Sequence, residues 1–532
     1  MRTANQPDQI NSKFIFPLFF ALIFFVYSST VFMPYLLLDE NWLLRGMDMD
    51  PDYVYPKLRF LVGLVQGRPV FMCMLFVTRA LVYLTSQVTC IQILRVFAIM
   101  GVSLFALQLY HLSDKIKLSP YISIPIVVSA ITLPSFQVLV ANATWLVVGL
   151  LFVTWSFQIC FDAVEKQRSL FDRQLLMAIV LCGLCLATYQ SLILVNFSLL
   201  TFVYLFGANL FSSRFITRLT LRVMLATFFS ILIYYFLWKL SCNVLFGNLP
   251  EHRYGPQNIL LSNVWDHFNF FITFRLQQAL NLWNFTGFYP VIAGVMLAGL
   301  ISKIILLQRE DGNTLKVAFS AVMLTISYCM GMILISDLVA LSSPNKIYSF
   351  TTLLALSLTC YFVFIWNVLA ITSLLASIIN VKFLTSVTML MAICFMSLIA
   401  AQYTVLTRFS LPNWLLTSLV KETVSDVTNN GEKIKKINVY EAYRPLKSLY
   451  PENEKQYKYL SEFNWFNFEN EFYVYWHLKN IFDQLKLADF PGVTMITADE
   501  NIVMKSKNAP EKGDVIAFDF RKNSPAKIVV SR

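Results

Sequence analysis

The chain has 532 residues, 57% hydrophobic, 15% aromatic and only 14% charged, with a net charge of +11. A soluble domain covers its surface with about a quarter charged residues, so this composition excludes a soluble globular protein. The charge is also segregated: residues 407–532 carry 18 Lys/Arg against 16 Asp/Glu, residues 1–406 carry 24 against 15, and +9 of the total lies in the apolar part. Dispersed among short loops, that excess suits the orientation of membrane spans and argues against a nucleic-acid partner.

A span needs about 20 largely apolar residues. Stretches of that kind fall near 14–33, 91–110, 121–139, 143–161, 174–191, 192–211, 222–246, 288–308, 316–340, 348–371 and 383–405. The sequence therefore predicts an α-helical polytopic membrane protein in a lipid bilayer, with about 11 transmembrane helices within residues 1–406. The first stretch follows a tail bearing Arg2 and Lys13 and has no small-residue cleavage site, so it reads as a signal anchor. The nine cysteines all lie in or beside apolar stretches, which argues against a disulfide framework or structural zinc, and Cys182/Cys185 reads as two small core residues.

The stretch 69–85 is set apart by its opening Gly67-Arg68-Pro69 and by Arg79 in its middle. A charge at the bilayer centre costs about 2.5–3.5 kcal/mol on insertion scales. Placing 69–85 at the interface gathers Arg2, Lys13, Lys115, Lys117, Lys166, Arg168, Arg173, Arg214, Arg218, Arg222, Arg309, Lys316 and Lys382 on one face. The turns around Asn142-Ala143-Thr144 and Tyr189-Gln190-Ser191 on the other face then carry no basic residue. The positive-inside rule predicts a cytoplasmic N-terminus and an extracytoplasmic C-terminal domain over 407–532. The outer face receives loop 34–90, which includes the interfacial helix, together with 247–287 and the C-terminal domain. That domain reads as α+β: a helical aromatic stretch around Trp465–Leu487, then strand-like runs at Val493–Thr497, Asn501–Met504 and Val515–Phe518 between turn signals.

The first outer loop is the richest in chemistry. Asp39 and Glu40 stand where the first span leaves the lipid, followed by Arg45 and Arg68. A partly desolvated carboxylate facing a cavity is suited to general-base work, and the planar fork of arginine fits a phosphate. The plain alternative is that these groups sit in the headgroup region. Lys57 and Arg59 of the same loop, and Asp337 in the last half of a predicted span, are secondary candidates. Asp48-Met49-Asp50 reads as a solvated loop, and His252 with His267 is a weak metal pair. No ligand spacing indicates a divalent metal or another cofactor.

The order of features resembles glycosyltransferases of the GT-C fold, most closely the glucosyltransferase II-type family that modifies O-antigen in bacteria. The motif is short: Asp39-Glu40, Arg45, Gly67-Arg68-Pro69 and then Ile93-Leu94-Arg95 opening the next span. Asp-Glu stands where that family leads one to expect Asp-Asp or a similar pair, which leaves open which carboxylate is the base. The resemblance implies transfer of a sugar, glucose above all, from a polyprenyl-phosphate-linked donor to a glycan acceptor at the outer face of the bacterial inner membrane. In that scheme Asp39 or Glu40 takes the acceptor proton, while Arg68 or Arg45 stabilises the departing phosphate. The sequence contains no phosphate-cradling Gly-rich loop, which agrees with a lipid-linked donor. The alternatives are a polysaccharide polymerase or ligase, or a lipid-linked sugar transporter. A transporter is expected to carry broken helices or midplane charges, and neither is visible in the sequence.

Overall fold

The computed structural model describes residues 12–33, 68–141, 144–207, 210–246, 261–283, 289–311, 314–338, 351–379 and 382–411, a few positions between 414 and 425, and four short strands beyond 435. In chain order the helices are α1 (Ser12–Phe32), α2 (Pro69–Leu84), α3 (Gln87–Lys115), α4 (Pro120–Ala130), α5 (Pro134–Ala141), α6 (Leu146–Glu165), α7 (Arg173–Thr188) and α8 (Val195–Gly207). They continue as α9 (Ser213–Phe246), α10 (Leu261–Phe270), α11 (Leu276–Leu280), α12 (Tyr289–Asp311), α13 (Leu315–Ser336), α14 (Leu354–Ile379) and α15 (Lys382–Thr404).

Among the described residues, nine helices are long and apolar enough to cross a membrane, or ten if the bent pair α4–α5 counts as one span. The apolar helix α7 has 16 residues. In lipid every backbone polar group must be satisfied within its own segment, which is why these apolar runs become helices. The chain is a multi-pass helical membrane protein. Each of the eleven predicted stretches coincides with helix, although the ends differ. The predicted span 222–246 begins at Ser213, because the Ser212 hydroxyl accepts from the Phe215 backbone N–H at 3.2 Å and starts the helix early. Arg214, Arg218 and Arg222 therefore lie on α9 rather than in a loop.

The packing is centred on α8 and α14. Phe202 meets Phe362 at 4.9 Å between ring centres, and Ser198 Oγ donates to the Ala355 carbonyl at 2.7 Å. Outer helices keep apolar faces exposed, such as Phe228 and Phe236 on α9 and Leu297 and Ile301 on α12. With lipid as apolar as leucine, close approach of small residues drives helix association. A Cβ on Gly299 of α12 would lie 2.6 Å from the Asn367 Cα of α14, and one on Gly101 of α3 only 3.0 Å from Val147 Cγ1 of α6.

One span is broken. Helices α4 and α5 meet at 59° across Ile131–Leu133. Pro134 has no N–H to extend the helix and disfavours helical geometry in Leu133. The carbonyls freed there find side-chain donors: Tyr27 OH donates to the Ile131 carbonyl at 3.0 Å, and Gln137 Nε2 donates to the Thr132 carbonyl at 2.8 Å. One turn earlier Pro125 disturbs the same ladder, and Tyr361 OH donates to the Ile126 carbonyl at 2.7 Å. This corrects the reading that no broken helix is present.

The helices alternate in direction, which sorts their ends into two groups. At one end Lys115 pairs with Asp162, and Arg222 pairs with Asp172 while donating to the Ser169 carbonyl at 2.7 Å. The basic clusters of three separate predicted loops are thus brought together. At the other end lie Thr30, Arg95, Trp145, Tyr189 and Asp337. Arg68 at one end of α2 sits against Tyr189, the middle of the helix meets α3 where the Thr78 carbonyl accepts from Cys90 Sγ at 3.7 Å, and toward the other end Leu81 and Val82 pack on Cys90, Ile91 and Leu94.

Beyond the bundle the strands are β1 (Lys436–Tyr440), β2 (Val493–Ile496), β3 (Val515–Asp519) and β4 (Lys527–Ser531), in the order β2-β1-β3-β4. Strand β1 runs parallel to β2 and β3, and β4 closes the sheet antiparallel to β3. Strands β2 and β3 fall on predicted runs. Asn501–Met504 and the stretch Trp465–Leu487 lie outside the described residues.

Candidate functional site

The end of the bundle that holds Arg68 is built from positions where spans finish or begin. Arg95, near the start of α3, donates through Nη1 to the Thr30 carbonyl at 2.6 Å, and Gln92 Nε2 donates to the Val31 carbonyl at 2.7 Å. These two bonds hold the last turn of α1, from which Asp39 and Glu40 follow in sequence. Carbonyls at a helix C-terminus have no partner within the helix, and donors such as these suit them.

Arg68 is the residue before α2, with Pro69 opening the helix where a missing N–H costs nothing. Its guanidinium carbon stands 4.7 Å from the centre of the Tyr189 ring and 6.0 Å from that of Trp145. Those two rings meet edge to face at 5.9 Å. Stacking on aromatic faces positions an arginine without using its N–H groups. Among the described residues Arg68 Nε is buried with no hydrogen-bond partner, as are Thr144 Oγ1 and Ser191 Oγ, which flank the same two rings in sequence. Native proteins leave few such atoms, so a gathering of donors here is a feature that a ligand or water satisfies.

Arg275 ends a π-helical turn over Phe271–Arg275 between α10 and α11. Its Nε donates to Asp337 Oδ2 at 2.6 Å, one Nη bonds Asp337 Oδ1, and the same Nη reaches Thr352 Oγ1 at 3.2 Å. Both side chains are enclosed, at 1% and 0% exposure. Around them Phe271 and Ala279 pack with Val138, Ile333, Leu353 and Cys360. The segment 261–283, read from sequence as an outer loop, is thus helical and docked on the end of the bundle. Asp337, a secondary candidate, is the anchor of that docking.

Asp39, Glu40, Arg45, Lys57, Arg59, Asp48-Met49-Asp50 and His252 lie outside the described residues. Among the described residues no group of three or more His, Cys, Asp or Glu has the geometry for a metal ion. Cys182 and Cys185 are buried free thiols, with Ser156 Oγ 3.0 Å from Cys182 Sγ. Sequence reasoning named Arg95 only as part of the opening of its span and passed over Arg275. Each is an arginine inside an apolar run, and that signal alone marks a buried partner.

The fold defines a multi-pass membrane protein. Comparison of the chain with protein-family models and with curated proteins finds no match.

Proposed function

We propose that the chain is a membrane glycosyltransferase of the GT-C kind. It takes a sugar, glucose first among the candidates, from a polyprenyl-phosphate carrier and passes it to a cell-surface glycan at the outer face of the bacterial inner membrane. The observation that supports this reading most is Arg68: a cation held on two aromatic faces with its Nε unfilled, at the bundle end where α1 leads into Asp39-Glu40. A phosphate leaving group needs such a donor, and the acceptor hydroxyl needs a carboxylate base nearby. In this reading α2 lies at the outer interface, eleven spans cross, and the α+β domain after residue 406 stands over the site.

The step transfers the anomeric carbon from the carrier phosphate oxygen to the acceptor oxygen. The acceptor proton goes to Asp39 or Glu40, and the phosphate keeps the bonding electron pair beside Arg68 or Arg45. Comparison of surface glycans from cells with and without the gene tests this: loss of one hexose per repeat is the expected result, and an unchanged glycan overturns it.

A second reading has one specific observation behind it. The broken span α4–α5 is a device of transporters of lipid-linked sugars, in which irregular backbone lines a path. Purified protein that moves lipid-linked sugar across vesicles without forming a glycosidic bond supports that reading over the first.

A further inference from the structure

A cavity of about 480 Å³ opens between α3 and α6 at the end of the bundle opposite the proposed chemistry. We propose that it binds a phospholipid whose headgroup carries a primary amine, of the phosphatidylethanolamine kind. The lining is layered along the helices. Leu104 and Leu107 of α3 with Trp155 of α6 form an apolar part, Gln108 and Gln158 an amide layer, and His111, Asp114 and Lys115 a charged rim. At 1.5 Å per residue, Leu104 lies about 16 Å along the helix from Lys115. A glycerophospholipid has the same order: acyl chain, ester carbonyls, then a charged headgroup.

Two observations beyond shape point to an occupant. Gln108 is 8% exposed, yet among the described residues its Oε1 has no hydrogen-bond partner, although its own backbone carbonyl accepts from Gln158 Nε2 at 3.4 Å. The unfilled atom is an acceptor, which an N–H or O–H donor on an occupant answers. The apolar part also continues past the cavity, because Ile93, Phe97 and Met100 extend the same face of α3 and are all exposed. A surface stripe of that length fits an acyl chain.

Charge selects the headgroup. The Lys115 ammonium is engaged by Asp162 and lies 5.4 Å from the Phe161 ring centre. Asp114 has no ion pair among the described residues, so the rim keeps one uncompensated carboxylate. An ammonium with N–H donors answers it, whereas a choline headgroup has no N–H and a glycerol headgroup has no cation to offset its phosphate.

The test uses the full chain in detergent, with phosphatidylethanolamine, phosphatidylcholine and phosphatidylglycerol of identical acyl chains, and counts bound lipid by native mass spectrometry. The ethanolamine lipid is expected to bind about two- to fivefold more tightly than the other two, the scale of one exposed ion pair. Asp114→Asn, at an exposed position, should remove that preference, and Leu107→Trp should weaken all three lipids by filling the cavity. Equal binding of the three lipids, or an unaltered preference in Asp114→Asn, overturns the proposal. A failed glycan experiment leaves it standing, since the two sites lie at opposite ends.

Discussion

Two ion pairs at opposite ends of the bundle differ in how they meet water. At one end Lys115 and Asp162 keep 32% and 35% of their side-chain surface exposed, although the neighbouring Arg222 is enclosed at 1% against an Asp172 that keeps 19%. At the Arg68 end Arg275 and Asp337 are enclosed at 1% and 0%. An exposed pair contributes little, because solvent and side-chain entropy offset the attraction. A buried pair need not stabilise more than apolar residues would, but breaking it leaves a lone charge with neither water nor partner. The Lys115–Asp162 pair is therefore tolerant of change. The Arg275–Asp337 pair is committed to a single arrangement.

The sharpest way to break this contrast is Arg275→Ala. It strands Asp337 and should lower stability by about 3–5 kcal/mol, read as a fall in thermal midpoint in detergent. The double variant Arg275→Met/Asp337→Leu should recover most of that loss, because it removes both charges from the apolar end. A single variant no worse than a change at Lys115 means that the pair is not the anchor described.

A smaller effect is expected at the break in α4–α5. Tyr27→Phe removes the donor to the buried Ile131 carbonyl and should cost about 1–3 kcal/mol, measured in the same way. Little change would mean that the break satisfies its carbonyls by another route.

The smallest effects belong to the Lys115 end. Lys115→Ala should change stability by about 1 kcal/mol or less. At the same end Asp172 titrates below the usual carboxylate range. Burial pushes it up, but the Leu175 N–H and the Arg222 guanidinium outweigh that. A lowered folded value means that its contribution is complete above the ordinary carboxylate range and is lost only as pH falls through the lowered value. Unfolding followed from pH 7 down to pH 3 should therefore show the wild type and Asp172→Asn converging only at the acid end.

Much of this architecture was legible in the residues because lipid imposes a simple rule. Runs such as Leu354–Ile379 have one stable form in a bilayer, and length alone finds them. The grouping of Lys115, Arg173 and Arg222 was legible for the same reason. What escaped was tertiary. Arg275 and Asp337 are 62 positions apart, and nothing local in Phe271–Arg275 announces that it returns to the bundle. The break at Ile131–Leu133 had a local signal in Leu133-Pro134, which the long apolar run masked. Strand β1 was missed because Lys436-Ile437-Asn438-Val439-Tyr440 is short and follows a charged stretch, and its identity as a strand depends on partners more than 50 residues away. The acid pair Asp39-Glu40 was visible at once, but its proposed role rests on resemblance, since both acids lie outside the described residues.

The central claim concerns that pair and Arg68, and a transfer assay tests it most directly. Membranes containing wild-type or variant protein are supplied with a polyprenyl-phosphate-linked glucose and the acceptor glycan, and the rate of glucose incorporation is measured at matched protein levels. Neutralising the base, by Asp39→Asn or Glu40→Gln, should lower the rate by about 10²–10⁴-fold. One catalytic base is enough to take the acceptor proton, so one of the two acids is expected to carry most of that loss. Arg68→Lys should slow transfer as well, since an ammonium cannot reproduce a two-pronged grip on phosphate. Wild-type rates in both acid variants would contradict the account and move the chemistry away from the first loop.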